Sequence, residues 1–295
     1  MRGRLYYCDH HSFPLPEGHR FHARKYRLLR EALSGDDAFD IHPAPQASLD
    51  LIRLAHERQY VHRFLNGTLD PAAMRRIGFP WSPELVLRIL ASVGGTLAAA
   101  DHALNHGWAG NLAGGTHHAF RAEGSGYCIF NDIAVSILAL RKRSAVVDLD
   151  VHQGDGTAAF FEDDPLVFTL SIHGGNNFPF RKRRSSLDVA MPDGAGDDIY
   201  LRALEESLPK VIEFKPEIVF YQSGVDALEA DQLGRLSLTH AGLRRRDEIV
   251  LASFHQAGVP VVITLGGGYS SPIEATVEAH ANTFRMAAGR FTSAG

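Results

Sequence analysis

Two hydrophobic patterns alternate along the chain. Short unbroken apolar runs, such as 145–147, 167–172 and 218–222, read as strands buried on both faces, whereas apolar residues that return after a helical turn, such as Leu28 and Leu29 followed by Leu33, read as helix faces. In order, the pattern predicts strands over 5–8, 39–42, 108–112, 145–152, 167–172, 218–222 and 259–265. Helices are expected over 20–33, 49–54, 57–65, 71–76, 83–105, up to 140 after the loop 124–132, 157–161, 200–211 and 240–257. Ser82, Pro83 and Glu84 supply an N-cap, a first-turn proline and a favourable acidic residue for the long helix, and Ser271, Pro272 and Glu274 read as a capping box for the last one. Alternating strands and helices predict the α/β class: a single domain with a mainly parallel central β-sheet and helices on both faces.

The stretch AVVDLDVHQGDGT at 145–157 carries the densest chemistry. If the strand holds through 152, Asp148, Asp150 and His152 project from one face, and burying two carboxylates and an imidazole there requires a compensating charge. An Asp at a strand end is commonly a helix N-cap and a lone His commonly a core residue, but three in register followed by Asp155 point to a divalent cation, with zinc or manganese suited to the donors. Three further loaded stretches, 114–118, 223–231 and 266–269, also follow expected strands. Asp226 lies just past a strand's carboxyl end, where ligands bind in open α/β sheets, and reads as the third ligand. His117 and His118 are neighbours in a glycine-rich loop, and Asp148 and Asp155 are available to fix a basic histidine's second nitrogen. Tyr269 follows three glycines, and Tyr127 sits in the loop GSGYCIFND. The basic run RKRR at 181–184 reads as a solvated loop, with a partner or substrate-carboxylate contact as its alternative. The histidines of DHHSFPLPEGH, near the start, read as an exposed loop by the site rim.

Composition narrows the classes. With 295 residues, 45% of them hydrophobic, the chain can bury a large core, and no linker divides it. A net charge of −4 gives no electrostatic footprint for nucleic acid. Cys8 and Cys128 are too few for a disulfide framework, and the start MRGRLYYCDH lacks a signal peptide's apolar core, so a cytoplasmic protein is expected. No membrane span is expected either, because the Ala-rich segment 91–104 is interrupted by Asp101 and His102.

The motifs GGTHHA, GYCIFND, DLDVHQGDGT, SIH, SGVDALEAD and GGGY, in that order and spacing across nearly the whole chain, resemble the zinc-dependent histone deacetylase family of the arginase and deacetylase superfamily. The segments HSFPLPEGHRFHARKYRLLREAL and FPFRKRRSSLDVAMPDGAGDDIYLRAL are similar to compact bacterial members allied with class IV. The resemblance implies zinc ligands at Asp150, His152 and Asp226, and tandem histidines His117 and His118 paired with Asp148 and Asp155. It also implies a transition-state tyrosine at Tyr269. Tyr127, Phe178 and Leu233 would line an acyl-lysine channel. It further implies a potassium ion on backbone carbonyls at Asp148, Asp150, His152, Ser171 and Ile172. One departure is Thr116, where the family's best-known enzymes usually carry an aromatic.

The expected activity is therefore zinc-dependent removal of acetyl or other acyl groups from lysine side chains, with His118 as general base and His117 as its electrostatic partner. Its substrate is an acylated lysine in a protein or peptide, or a small acylated amine such as a polyamine. Two rivals stand beside it: a binuclear manganese ureohydrolase of the same fold, and a non-catalytic acyl-lysine binding module.

Overall fold

The computed structural model describes residues 2–291. Its strands are β1 Gly3–Tyr7, β2 Phe39–Pro43, β3 Trp108–Asn111, β4 Ser144–Asp148, β5 Val167–Gly174, β6 Leu187–Met191, β7 Ile218–Gln222 and β8 Val261–Thr264. They form one sheet in the order β2-β1-β3-β8-β7-β4-β5-β6, with every neighbouring pair parallel. The helices are α1 Arg24–Leu33, α2 Leu49–Ala55, α3 Arg58–Leu65, α4 Pro71–Ile77, α5 Pro83–His106, α6 Asp132–Leu140, α7 Asp155–Phe161, α8 Asp197–Glu213, α9 His240–Gln256 and α10 Ile273–Phe291.

The unbroken apolar runs follow from burial on both sides of this sheet. Val147, Val219, Tyr221 and Ile263 point into one core with Leu29 of α1, Leu204 of α8, Phe254 of α9 and Phe284 of α10. Their chain neighbours Val146, Phe220 and Val262 point into a second core with Ile52 of α2, Phe64 of α3, Ile89 of α5 and Ile133 of α6. Alternate side chains thus serve opposite layers, each fully buried aliphatic contributing about 1.5–3 kcal/mol of transfer free energy. Local signals set the helix ends. Asp70 accepts a hydrogen bond from the Ala73 N–H at 2.8 Å ahead of Pro71, and Ser82 accepts from Leu85 N–H at 3.1 Å ahead of Pro83.

Several expectations change. β4 ends at Asp148 rather than running to 152, because the Asp150 N–H turns back onto the Asp148 carboxylate at 3.1 Å. Asp148, Asp150 and His152 therefore do not share a strand face. α1 begins at Arg24, not 20, which leaves Arg20 and Phe21 on an irregular segment. The strand expected from 259 begins at Val261, since the Val259 N–H is bonded to Phe254 at the end of α9. β6 went unpredicted because an edge strand with alternating exposure has no continuous apolar run. At the start of α10 the Ser270 N–H donates to the Thr276 hydroxyl at 3.0 Å, in place of the Ser271 capping box. Finally, α5 is by length and composition apolar enough to cross a membrane, contrary to the reading of its polar interruptions; 61% of that stretch is buried inside the protein, where α5 packs on β1, β3, β8 and α6.

The topology decides where the chemistry goes. The loaded stretches 114–118, 266–269, 223–231 and 148–155 follow β3, β8, β7 and β4, which are four consecutive strands of the sheet. All the strands are parallel, so these four loops emerge at the same carboxyl edge.

Candidate active site

At that edge Asp150, His152 and Asp226 meet, their ligand-type atoms all within 4.8 Å of one another. His152 Nδ1 lies 3.1 Å from Asp150 Oδ1 and 3.0 Å from Asp226 Oδ2. The other oxygen of each carboxylate is already committed: Asp150 Oδ2 accepts from Gly267 N–H at 2.6 Å and Asp226 Oδ1 from Val151 N–H at 2.8 Å. One oxygen of each acid is thereby aimed at the imidazole nitrogen. Burial alone would lower the His152 pKa, but the hydrogen bonds and charges of Asp150 and Asp226 outweigh it and hold the group up to about 10. The space between the three thus favours positive charge, and an oxygen, nitrogen, oxygen donor set suits a divalent cation such as zinc. Gly267 makes the approach possible, since a Cβ there would collide with Asp226 Oδ2.

Beside this cluster lie the tandem histidines, ring centroids 4.0 Å apart. His117 Nδ1 donates to Asp148 Oδ2 at 2.7 Å and His118 Nδ1 to Asp155 Oδ1 at 2.6 Å, which leaves both Nε2 atoms free of those carboxylates. Their electrostatics diverge. Burial works against charge on His117, yet Asp148 and Asp150 overcome it and raise its pKa to about 9. For His118, burial and then the neighbouring His117 charge dominate over Asp155, and the pKa falls to about 4. The local electrostatics thus favour charge on His117 and disfavour it on His118. The loop that carries them is fixed by Asp132, which accepts from Gly115 N–H at 3.0 Å and Thr116 N–H at 2.8 Å.

Tyr269 reaches the same cavity from the loop after β8. Its backbone N–H donates to Asp231 Oδ2 at 2.6 Å, while Asp231 Oδ1 accepts from Leu233 N–H at 2.8 Å and Gly234 N–H at 2.9 Å. One carboxylate therefore places both the tyrosine and the leucine. Lys25 of α1 supports the loop from behind, its Nζ donating to Gly266 O at 3.3 Å and Gly268 O at 3.4 Å and lying 5.1 Å from the Tyr269 ring. Burial raises the Tyr269 phenol far above its usual range, so it keeps its proton.

A cavity of about 560 Å³ opens above these groups, and Tyr127, Phe178 and Leu233 all line it. The Phe178 ring stands edge-on to His118 at 4.9 Å, and Tyr127 lies 6.2 Å from the Tyr269 ring. Arg181, Arg183 and Arg184 of the basic run are exposed, in keeping with a solvated loop, while Lys182 is half-buried. Lys182 Nζ holds the Phe178 loop through Asn177 O at 2.5 Å and Pro179 O at 2.7 Å, and Arg184 pairs with Glu162 and Asp163. Of the early histidines, His19 bonds Gly78 O at 2.9 Å and stacks on Phe79 behind Tyr127. The segments named for potassium run side by side, since Asp148 of β4 is the register partner of Ser171 of β5 and Gly174 N–H donates to Val151 O at 2.9 Å.

Sequence reasoning gave no role to Asp231, Asp132, Lys25 or Arg246. Arg246, fully buried on α9, donates to Gly224 O at 2.6 Å and braces the loop that carries Asp226. Asp231 and Asp132 did stand inside quoted motifs, but nothing in one sequence separates a loop-fixing carboxylate from a surface one.

Comparison with known proteins agrees with this geometry. The histone deacetylase domain model matches residues 19–284. An uncharacterized protein of Picosynechococcus sp. is 46% identical over 292 residues, covering 96% of this chain and 97% of its own length. Histone deacetylase 2 of Arabidopsis thaliana is 32% identical over 274 residues, covering 85% of this chain and 70% of its own. Among solved structures, the crystal structure of an HDAC homolog complexed with SAHA superposes with a TM-score of 0.85 at 27% identity, covering 98% of this chain and 84% of that one. With a parallel eight-stranded sheet, four loaded loops at its carboxyl edge and a family match over most of its length, the chain belongs to the histone deacetylase family.

Proposed function

We propose that the protein is a zinc-dependent amidohydrolase that removes acetyl or other acyl groups from lysine side chains. The observation that carries this reading is the meeting of the Asp150, His152, Asp226 cluster with two histidines that each bond their own buried carboxylate, where Asp150, His152, His117 and His118 line one cavity. Asp150, His152 and Asp226 would hold the ion, and zinc bound there supplies Lewis-acid polarisation of the amide carbonyl and a lowered pKa for water. A potassium ion on the backbone carbonyls at Asp148, Asp150, His152, Ser171 and Ile172 belongs to the same proposal as a structural ion.

The chain's own groups divide the remaining work. Neutral His118, its Nδ1–H held by Asp155, presents Nε2 as the base that takes a proton from the attacking water. His117, held by Asp148, supplies positive charge beside the reacting carbon. Tyr269 donates its hydroxyl proton in a hydrogen bond to the carbonyl oxygen as negative charge develops there. When the C–N bond breaks, His118 returns its proton to the leaving nitrogen, and a free amine and a carboxylate depart. Tyr127 and Phe178 would flank the lysine's methylene chain, keeping water from the reacting centre.

The test is a turnover screen across acyl-lysine peptides of increasing acyl length, with and without a chelator. Hydrolysis that the chelator abolishes and zinc restores is expected; failure of the zinc-loaded protein on every acyl-lysine would remove the enzymatic reading. The same proposal places the protein in the cytoplasm, where its buried thiols Cys8 and Cys128, free of any disulfide, are at home; cell fractionation tests it.

A further inference from the structure

The cavity mouth carries a charge pattern that the family's chemistry does not require. Arg20, Arg75, Arg76 and Arg235 line the opening, and the only acidic residue lining the cavity, among the described residues, is Asp150 on the floor. The whole chain has a net charge of −4, so this positive ring is a local concentration.

Its placement follows from the loops that build the channel walls. The Gly126 N–H donates to Arg76 O at 3.0 Å and Tyr127 N–H to Ile77 O at 2.8 Å, which ties the end of α4, with Arg75 and Arg76, to the Tyr127 wall. Arg20 stands beside Phe21, whose ring packs on Tyr127 at 5.2 Å. On the opposite wall the Arg235 N–H donates to Asn177 Oδ1 at 3.2 Å, next to Phe178. Arginines therefore line the cavity next to both aromatic walls. Arg76 and Arg235 already have acidic partners, Glu123 at 3.3 Å and Asp193 at 3.1 Å. Arg20 and Arg75 form no ion pair with a carboxylate among the described residues, and both are exposed.

An acyl-lysine that reaches the floor leaves its amine-bearing remainder at this mouth. We infer that the preferred substrate carries a carboxylate on that remainder, recognised by Arg20 and Arg75. This rests on the deacylase reading and narrows its substrate class. Guanidinium binds carboxylate through paired N–H donors, and several like charges around one opening attract anions and repel cations before contact. The carboxylate has two sources: an Asp or Glu side chain flanking an acyl-lysine in a polypeptide, or the α-carboxylate of a free Nε-acyl amino acid. N-acyl polyamines and peptides rich in Lys and Arg are disfavoured by the same charges.

The experiment compares six substrates with one acyl group: a peptide flanked by Glu, its Gln and Lys counterparts, free Nε-acyl-lysine against its α-amide, and an N-acyl polyamine. kcat/KM is measured at low salt and at about 0.5 M salt, where exposed charges are screened. An acidic substrate should exceed its neutral counterpart by roughly three- to tenfold at low salt, the scale of one or two exposed ion pairs, and the gap should narrow at high salt. R20Q/R75Q should bring that ratio near one, while R20K/R75K keeps most of it. Whichever acidic member gains more identifies the source. Preference for the Lys peptide or the polyamine, or a ratio unmoved by R20Q/R75Q, overturns the inference. Calorimetric binding of the Glu and Lys peptides to the Tyr269→Phe protein separates the two readings. If no substrate turns over but the Glu peptide still binds more tightly, the deacylase reading falls while carboxylate recognition at the mouth stands; equal binding of the two peptides ends the inference.

Discussion

On the cavity floor Asp150, His117 and His118, with Asp226 buried beside them, are each 4% exposed or less, and each is oriented by a backbone N–H or a partner carboxylate. At the mouth, Phe180 is 86% exposed and Arg20 and Arg75 lie open to solvent, without an ion pair to a carboxylate among the described residues. The contrast separates two tasks. Buried polar groups must be satisfied in one geometry, so the floor can hold charges in fixed relation to a reacting bond. Exposed groups need no such partners, so the mouth can select by charge and shape without being tied to the chemistry.

The largest expected effect breaks the floor outright. Asp150→Ala, His152→Ala or Asp226→Ala should each lower zinc content and turnover together. The losses should exceed the roughly 10- to 100-fold that removal of a group supporting a ligand costs. Metal analysis by mass spectrometry beside a turnover assay checks it, and full zinc content with full turnover after loss of Asp226 would remove that residue from the ligand set. Next comes Tyr269→Phe, which keeps the ring and deletes only the hydroxyl. The expected loss is roughly a hundredfold to a thousandfold in kcat, with metal content unchanged and KM little altered. A loss under about threefold would make Tyr269 a channel wall.

Those floor residues were legible because each follows a buried strand, where an apolar run stops abruptly at Asp, His or Gly. Strand order was not legible, since one sequence does not show that β3, β8, β7 and β4 are neighbours. The strand ending at Asp148 was misread for a local reason: the Asp148 carboxylate captures the Asp150 N–H and turns the chain before His152. Lys25 and Arg246 hid on amphipathic helices, where a basic residue ordinarily reads as solvated, although both are buried on backbone carbonyls of site loops. Nor did the basic mouth show as a motif, because Arg20, Arg75, Arg76 and Arg235 come from separate segments and meet only through the folding of the channel walls.

A smaller effect probes the support beneath the floor. Asp155→Asn should leave zinc in place and lower kcat by roughly 10- to 100-fold, because it removes the charge that orients His118. Asp155 raises the His118 pKa, so its loss should make that histidine a weaker base. The acid limb of the kcat/KM profile, where His118 becomes protonated, should therefore move to lower pH while the plateau drops. An acid limb displaced to higher pH would contradict the assignment of His118 as the base. The smallest effect belongs to the mouth. Phe180→Ser should change the unfolding free energy by no more than about 0.5 kcal/mol in a denaturant titration and leave zinc content untouched. Loss of zinc in that variant would show the mouth and floor to be coupled.

The most direct test of the floor's chemistry is a zinc titration of chelator-stripped protein, followed by hydrolysis of one acyl-lysine peptide. In the proposed reading Asp150, His152 and Asp226 offer one ligand atom each, a set for a single ion, while Asp148 and Asp155 are occupied with His117 and His118. Activity should therefore rise linearly to one equivalent of zinc per chain and then level off. A rise that continues to two equivalents, or full activity reached only with two bound manganese ions, would contradict the account.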